Sequence, residues 1–515
     1  MTAFDATRRA ALLGAGATLA ACAAPAPLVG PPARGENPFA LGVASGEPAP
    51  DGFVIWTRLV RDPLAVAGGF EGVPAEDVAW DVARDKDFRD VVRQGTFRAR
   101  GEDALSVHVE LAGLEPARDY WYRFRARGQA SQAGRARTAP APGTLPARLR
   151  FAVCGCNHYE HGFFAAYRHL ADEAPDFAFH YGDYIYESGA YRGTEPRARL
   201  HAGGVCRTLD DYRRRYAQYK SDPDLQAAHA ATPFIMSFDD HEVANNWSAT
   251  RSNASGESPE AFLARRNAAL RAWYEHMPLR LSQKPSGQGV RMFRSLPFGD
   301  LAAMHVLDTR QYRTRQPCGD TIKPACAGML AADAQIVGPA QERWLYERLA
   351  DGRVRWNFIA QQVAMMRLDM GERTFNMDSW AGYVAQRDRL HAFLQRRRPA
   401  NPVVLTGDWH KNWVGHLKAD YDDPSSPVLA PEFLSTSISS DGDSLPSATT
   451  VRRHLSDNPH VRHYSGTRGY MAFALTPGRL EATLRAVGPV VRADASVRTL
   501  ARFAVAAGDP NLHDA

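Results

Sequence analysis

The segment Phe177-Ala178-Phe179-His180-Tyr181-Gly182-Asp183-Tyr184-Ile185-Tyr186-Glu187 constrains this chain more than any other. It begins as a short apolar run and stops abruptly at Gly182-Asp183. That is the pattern of a buried strand that turns away at the carboxyl end of a sheet. Gly182 permits a sharp turn because it has no Cβ. Asp183 and Tyr186 are spaced closely enough to share one metal. A carboxylate can bridge two cations, and a phenolate is a hard anionic donor suited to a trivalent ion. Alone, the segment also reads as a buried strand followed by an ordinary Asp-capped turn, so the question is whether the pattern recurs.

It recurs from Leu149 onward. Phe151 to Asn157, Phe234 to Glu242, Leu301 to Tyr312, Trp356 to Gln362 and Val403 to His410 are apolar runs that end in polar residues, and a helical segment near Phe163 to Glu173 separates the first two strands. Strand then helix, repeated, is the rhythm of an α/β domain, whose ligands gather at the carboxyl ends of the strands. The polar residues there suit a metal centre: Cys156, Asp183, Tyr186, the Asp239-Asp240-His241 run, Asp408 and His410. Each has a bland reading, as a buried thiol, a core histidine or a turn aspartate. Four such junctions together make coincidence a poor account.

Upstream the pattern differs. Phe53 to Thr57, Val78 to Val82, Ser106 to Leu111 and Tyr120 to Phe124 are short alternating segments separated by Gly, Pro and Asp. They predict an antiparallel β-sandwich of immunoglobulin or fibronectin type over residues 38–139. A Pro-rich linker follows, and the α/β domain is expected over residues 147–515. The formal charge of +5 is mild for 515 residues and gives no reason to infer a nucleic-acid partner. Arg213-Arg214-Arg215 and Arg396-Arg397-Arg398 read as solvated helix faces. Residues 1–37 combine Arg8-Arg9 with a modest apolar run and a Pro/Ala-rich linker, like a twin-arginine export signal that would engage the machinery for folded proteins. Leu19-Ala20-Ala21-Cys22 also fits a lipoprotein cleavage site, which would leave a lipid anchor on Cys22; simple cleavage near Ala24 is the other outcome. The product is then periplasmic or membrane-anchored. Export permits disulfides. Cys318 and Cys326 are the expected pair, with Cys154 and Cys206 a second, leaving Cys156 without a partner.

These motifs resemble the PhoD-type alkaline phosphatases, a branch of the metallophosphoesterase superfamily. The resemblance rests on Asn37 to Gly46 and Trp56 to Leu59 in the β-module, and on Gly182 to Glu187, Asp239 to Val243, Leu307 to Tyr312 and Gly407 to His410. It implies a four-layered αββα sandwich behind the β-module, holding ferric iron (Fe3+) and calcium (Ca2+). Cys156, Asp183, Tyr186 and His410 would surround iron. Asp183 would bridge to calcium, with Asp240 and Asp408 on that side and Asn246 as a further ligand. His241 would lie beside the substrate phosphate and Arg310 would clamp it. The chain differs from the family's pattern at Ala244 and Ala381, where acidic residues are common. The implied activity is hydrolysis of small phosphate monoesters, and of diesters as a second class, by attack of a metal-bound hydroxide. A phosphodiesterase or phospholipase D is the nearest alternative, and a non-catalytic surface binding protein the remoter one. His158 and His161 read as surface-loop residues beside Cys156, and Trp247 and Trp413 as core.

Overall fold

The computed structural model describes residues 37–515 apart from Ser255 and Gln288, so the export signal and Cys22 lie outside the described residues. The apolar runs form the strands expected of them. Leu149–Cys154, Phe177–His180 and Phe234–Met236 run parallel, with Phe177 opposite Phe151 and Ala178 opposite Phe234. The last two are buried along their whole length, which is why they read as apolar runs instead of alternating ones. They sit in the middle of a ten-stranded sheet, continued by the antiparallel strands Gly469–Leu475, Arg479–Gly488, Ser496–Ala506 and His513–Asp514.

A seven-stranded sheet faces it. Its parallel strands are Ala302–Val306, Trp356–Ala360, Pro402–Thr406 and Val428–Leu434. Phe151 joins the two sheets. Its ring stacks on Phe177 at 5.2 Å and Phe473 at 4.8 Å in its own sheet and meets Phe358 of the other edge-on at 5.1 Å. Such aromatic pairs add about 0.5–1.5 kcal/mol each beyond area burial. Helices Gly338–Ala350 and Val384–Arg397 cover the second sheet, packing Leu345, Leu349, Leu390 and Leu394 with Ile359 and Val404. Helices Ala165–Glu173 and Pro223–Ala231 bury Tyr167, Leu170, Leu225 and Ala228 with the first. The result is the expected αββα order of layers.

The N-terminal strands make the predicted sandwich. Val43–Ala49, Gly52–Arg58 and Ser106–Glu110 form one side, and Ala75–Ala83, Val91–Arg100, Asp119–Ala126 and Gly134–Arg137 the other, around Phe53, Ile55, Val78, Tyr120 and Phe124. The first of these sides is continuous with the ten-stranded sheet. Val43–Ala49 runs parallel to Phe234–Met236, with Gly46 opposite Phe234. A Cβ at Gly46 would come within 2.5 Å of the Phe234 carbonyl oxygen, so this approach needs glycine. Trp56 donates its indole N–H to the Glu275 carbonyl at 3.1 Å, and Arg294 reaches back to the Glu47 carboxylate.

Several sequence expectations need correction. Cys318 and Cys326 are bonded as predicted, but Cys154 and Cys206 are free buried thiols. Cys154 ends a central strand and Cys206 precedes helix Leu209–Lys220, where each packs as a small apolar group. The block Arg213-Arg214-Arg215 is not a solvated face. Arg215 is 1% exposed and donates to the carbonyls of Tyr186, Ser188 and Gly204, while Arg213 pairs with Glu275. His158 is not a surface-loop residue: it is buried, with its ring 4.3 Å from that of Tyr186. Trp247 and Trp413 are core residues, as expected.

Lys220 gives the fold a pH dependence. It is buried in an aromatic box, its ammonium 4.2 Å from the Trp56 ring centre and 5.4 Å from that of Tyr184. Burial lowers its pKa from 10.5 to about 7. His180 and His229, which feel its charge, are themselves held neutral by burial. The unfolded chain therefore binds the extra proton between pH ~7 and ~10.5, and stability from this residue rises with pH across that window. Lys220→Met should raise the urea midpoint at pH 6–7 by an amount worth on the order of a few kcal/mol. The gap should shrink toward pH 10. An equal gap at both pH values would mean that the lysine is not destabilised by its charge.

Candidate metal centre

Four parallel strands end at one place. Leu149–Cys154 leads to Cys156, Phe177–His180 to Asp183, Phe234–Met236 to Asp239-Asp240-His241, and Pro402–Thr406 to Asp408 and His410. The loops are sharply bent. Cys156, Asp183, Asp408 and His410 all have positive φ, at 53°, 54°, 71° and 54°. Left-handed backbone at non-glycine residues costs roughly 1–3 kcal/mol each and persists where the surroundings impose it, typically at functional sites. Gly182 makes a close backbone approach: a Cβ there would lie 2.4 Å from the Asp239 backbone nitrogen.

Two donor sets share one carboxylate. In the first, the ligand atoms of Cys156, Asp183 and His410 lie within 4.8 Å of one another. The Tyr186 hydroxyl joins them, 3.0 Å from Asp183 Oδ2 and 3.0 Å from His410 Nε2. Cys156 Sγ is 3.4 Å from the same Oδ2. In the second, Asp183, Asp239, Asp240 and Asp408 bring carboxylate oxygens equally close together. Asp239 Oδ2 and Asp240 Oδ1 are buried with no hydrogen-bond partner among the described residues.

The electrostatics of the protein alone are unfavourable. Burial first, then Asp240, pushes the Asp183 carboxyl well up from its ordinary range. Burial and Asp239 do the same to Asp408, and Asp239 is pushed up to about 6. Burial and the neighbouring carboxylates also drive the Cys156 thiol and the Tyr186 phenol upward. Asp240 alone is lowered, because His241, Arg310 and the Asn246 backbone N–H together outweigh its burial. Cations in both positions would remove this cost. The orphaned oxygens and the donor types therefore fit bound metal: thiolate, phenolate and imidazole on one side, carboxylates on the other.

Supporting groups hold the donors in place. Asp441 Oδ1 lies 3.2 Å from His410 Nδ1, which turns Nε2 toward Tyr186. Ser440 Oγ is 2.7 Å from both the Tyr186 hydroxyl and the Cys156 carbonyl. Glu242 accepts from the backbone N–H groups of Asp183, Tyr184 and Asp239. Glu187 Oε2 is 2.7 Å from His241 Nδ1, which leaves Nε2 for another partner. Burial opposes protonation of His241, but Asp240, Glu187 and Asp183 outweigh it and raise its pKa.

Two of the predicted site residues carry further hydrogen bonds of their own. Asn246 donates its backbone N–H to Asp240 Oδ2 and its side-chain Nδ2 to Asp320 Oδ1, both at 2.7 Å. Arg310 is fully buried and commits Nε to Asp239 at 2.5 Å and Nη1 to Asp378 at 2.8 Å. Its Nη2, 3.9 Å from Asp240, has no hydrogen-bond partner. Its geometry is that of a counter-charge to the acidic cluster, with one nitrogen to spare. The sequence reading named Asp239 in the polar run but gave it to neither metal, and it missed Glu187, Asp441 and Asp378 as partners. The apolar run Val428–Leu434 ending in Ser435 to Asp441 has the same strand-then-polar form and was a signal for Ser440 and Asp441.

A junction of four strand ends around a shared aspartate can be compared with known proteins. The family described as PhoD-like phosphatase matches residues 151–484, and its N-terminal domain matches residues 22–140. The chain belongs to the PhoD-like phosphatase family. A curated relative, alkaline phosphatase D of Bacillus subtilis (strain 168), is 42% identical over 471 residues, covering 90% of this chain and 80% of the relative. A solved structure described as that of PhoD superposes with a TM-score of 0.90 at 42% identity, covering 93% of this chain and 92% of the other. Among the described residues no helix is long and apolar enough to cross a membrane.

Proposed function

We propose that this PhoD-like phosphatase is an exported enzyme that hydrolyses phosphate monoesters at an iron–calcium centre. The observation that carries the reading is Asp183, whose carboxylate belongs at once to the thiolate–phenolate–imidazole set and to the carboxylate set. Cys156, Tyr186 and His410 with Asp183 suit Fe3+, and Asp183, Asp240 and Asp408 with Asp239 suit Ca2+. Asn246 supports that side through its backbone N–H on Asp240. When bound, such a metal pair activates water and neutralises phosphate oxygens. The chain's own contribution is orientation and proton transfer. Asp441 fixes the His410 ring, Glu187 fixes His241, and His241 Nε2 delivers a proton to the leaving oxygen. The spare Nη2 of Arg310 is the one nitrogen of that side chain open to a phosphate oxygen or to Asp240.

The test is hydrolysis of p-nitrophenyl phosphate and its bis-ester at alkaline pH, with calcium, with chelator, and with calcium restored. We expect monoester release that chelator abolishes and calcium restores, from a protein with visible phenolate-to-iron absorption. A colourless, fully active enzyme would rule out the iron assignment, and release from the diester alone would make the enzyme a phosphodiesterase. Export through the twin-arginine route is supported by Arg8-Arg9 and the apolar run after them. Activity confined to the cytoplasmic fraction after osmotic shock would contradict it.

A further inference from the structure

A second cavity, of about 660 Å³, lies away from the metal centre between helix Val384–Arg397, the disulfide loop and the turn after strand Asn412–Lys418. Arg387, His391 and Tyr421 line it. Arg387 is 6% exposed, yet its Nε and Nη1 are buried without a hydrogen-bond partner among the described residues. His391 Nε2 and the Tyr421 hydroxyl make no close hydrogen bond among the described residues, although the Arg367 and Lys418 backbones lie within hydrogen-bonding reach of Tyr421 and the Lys418 backbone within reach of the His391 ring. The three side chains are adjacent: the Arg387 guanidinium lies 5.6 Å from the Tyr421 ring centre, and the His391 ring 6.1 Å from it.

Burying guanidinium nitrogens without partners costs several kcal/mol, as an order of magnitude, unless something supplies acceptors. The nearby carboxylates do not. Asp422 is taken by Arg367 at 2.7 Å and faces Arg373 at 3.6 Å. Asp420 Oδ1 accepts the Asp422 backbone N–H. Asp388 touches Arg387 Nη2 at 3.3 Å, but its side chain is 61% exposed. The wall carries as many aspartates as arginines, so net charge does not define the site; the unpartnered donors do. Arg367 also sits over the Tyr421 ring, 5.2 Å from its centre. Two guanidiniums on one ring repel, and an anion beside them offsets that repulsion.

We propose that this cavity binds a phosphate group, with Arg387 as its main anchor, Tyr421 donating its hydroxyl and His391 Nε2 pairing with a P–OH or P–O⁻ according to its tautomer. Monohydrogen phosphate presents both acceptors and a donor, which matches that set. The source is either free orthophosphate or the terminal phosphate of an ester. Ala381 in the wall follows closely on Asp378, the partner of Arg310 and Arg313, so the site adjoins the scaffold of the metal centre.

Equilibrium dialysis of the metal-loaded full chain against radiolabelled orthophosphate tests this. We expect the native protein to hold one equivalent more than Arg387→Met, with p-nitrophenyl phosphate turnover unchanged at low phosphate. That difference of one equivalent is independent of whether the metal centre itself retains phosphate, so it separates this proposal from the phosphatase reading. Tyr421→Phe, which removes only the hydroxyl, should weaken the extra equivalent several-fold and guards against misfolding of the arginine variant. Displacement of the label by a non-hydrolysable alkyl phosphonate below the concentration at which unlabelled phosphate competes would assign the ester as source; the reverse order would assign the free anion. Equal stoichiometry in native protein and both variants overturns the proposal.

Discussion

Asp183→Ala is expected to lower kcat/KM by on the order of 10³-fold or more, because a metal-assisted reaction loses both cations at once. Asp183 Oδ2 lies 3.4 Å from Cys156 Sγ and 3.0 Å from the Tyr186 hydroxyl, and Oδ1 accepts the His241 backbone N–H at 3.3 Å. Among the described residues, no other residue belongs to both donor sets of the site. The variant should therefore lose the visible absorption and the calcium requirement together. Asp240→Asn should lose calcium while keeping the colour, because Asp240 touches only the carboxylate side. Misfolding is separable from loss of function. In the metal-free protein Asp183 is a buried carboxyl pressed by its neighbours, so its removal relieves strain. Metal-free Asp183→Ala should unfold at no lower urea concentration than metal-free wild type. An Asp183→Ala protein that stayed coloured would sink the shared-ligand reading.

The part of this site legible in the sequence is the part where an apolar run stops at a polar residue. That rule led to Cys156, Asp183, Asp240, Asp408 and His410, because a parallel strand buried on both faces leaves only its end for chemistry. The same rule named Asp239 in the run before His241 but gave it to neither metal. Adjacent residues of a strand point to opposite faces, so strand geometry by itself brings only one of Asp239 and Asp240 to the cluster. The strand, however, ends at Met236, and the bend that follows brings both carboxylates into the cluster. The burial and pairing of Arg310 were hidden for a non-local reason. Its partner Asp378 lies 68 residues further along, and nothing around either residue announces the pairing. The same limit hid the continuity of the N-terminal sandwich with the central sheet. That junction is one parallel register, Gly46 opposite Phe234, and parallel pairing leaves no turn signature between its strands. Arg215 shows the limit of charge-run reading. A run of arginines looks solvated until three carbonyls from the long loop before its helix are found around one of them.

His241→Ala should separate substrates by their leaving groups. His241 Nδ1 is held by Glu187 Oε2, and its side chain is 20% exposed while Asp239 and Asp240 beside it are buried. Its remaining nitrogen is placed to protonate a leaving oxygen, a contribution typically worth 10²–10⁴-fold, as an order of magnitude. An alkyl phosphate leaves as a strongly basic alkoxide and needs that proton. A p-nitrophenolate leaves readily without it. The expected result is a loss of roughly 10²-fold or more in kcat for glycerol phosphate, against a loss of about tenfold or less for p-nitrophenyl phosphate. Glu187→Gln should show the same bias at smaller amplitude, because it loosens the ring but leaves the nitrogen in place. If both substrates slowed equally in His241→Ala, the histidine would be acting on the bound phosphate itself, as a hydrogen-bond donor to its oxygens. That outcome would move its role from proton delivery to charge stabilisation.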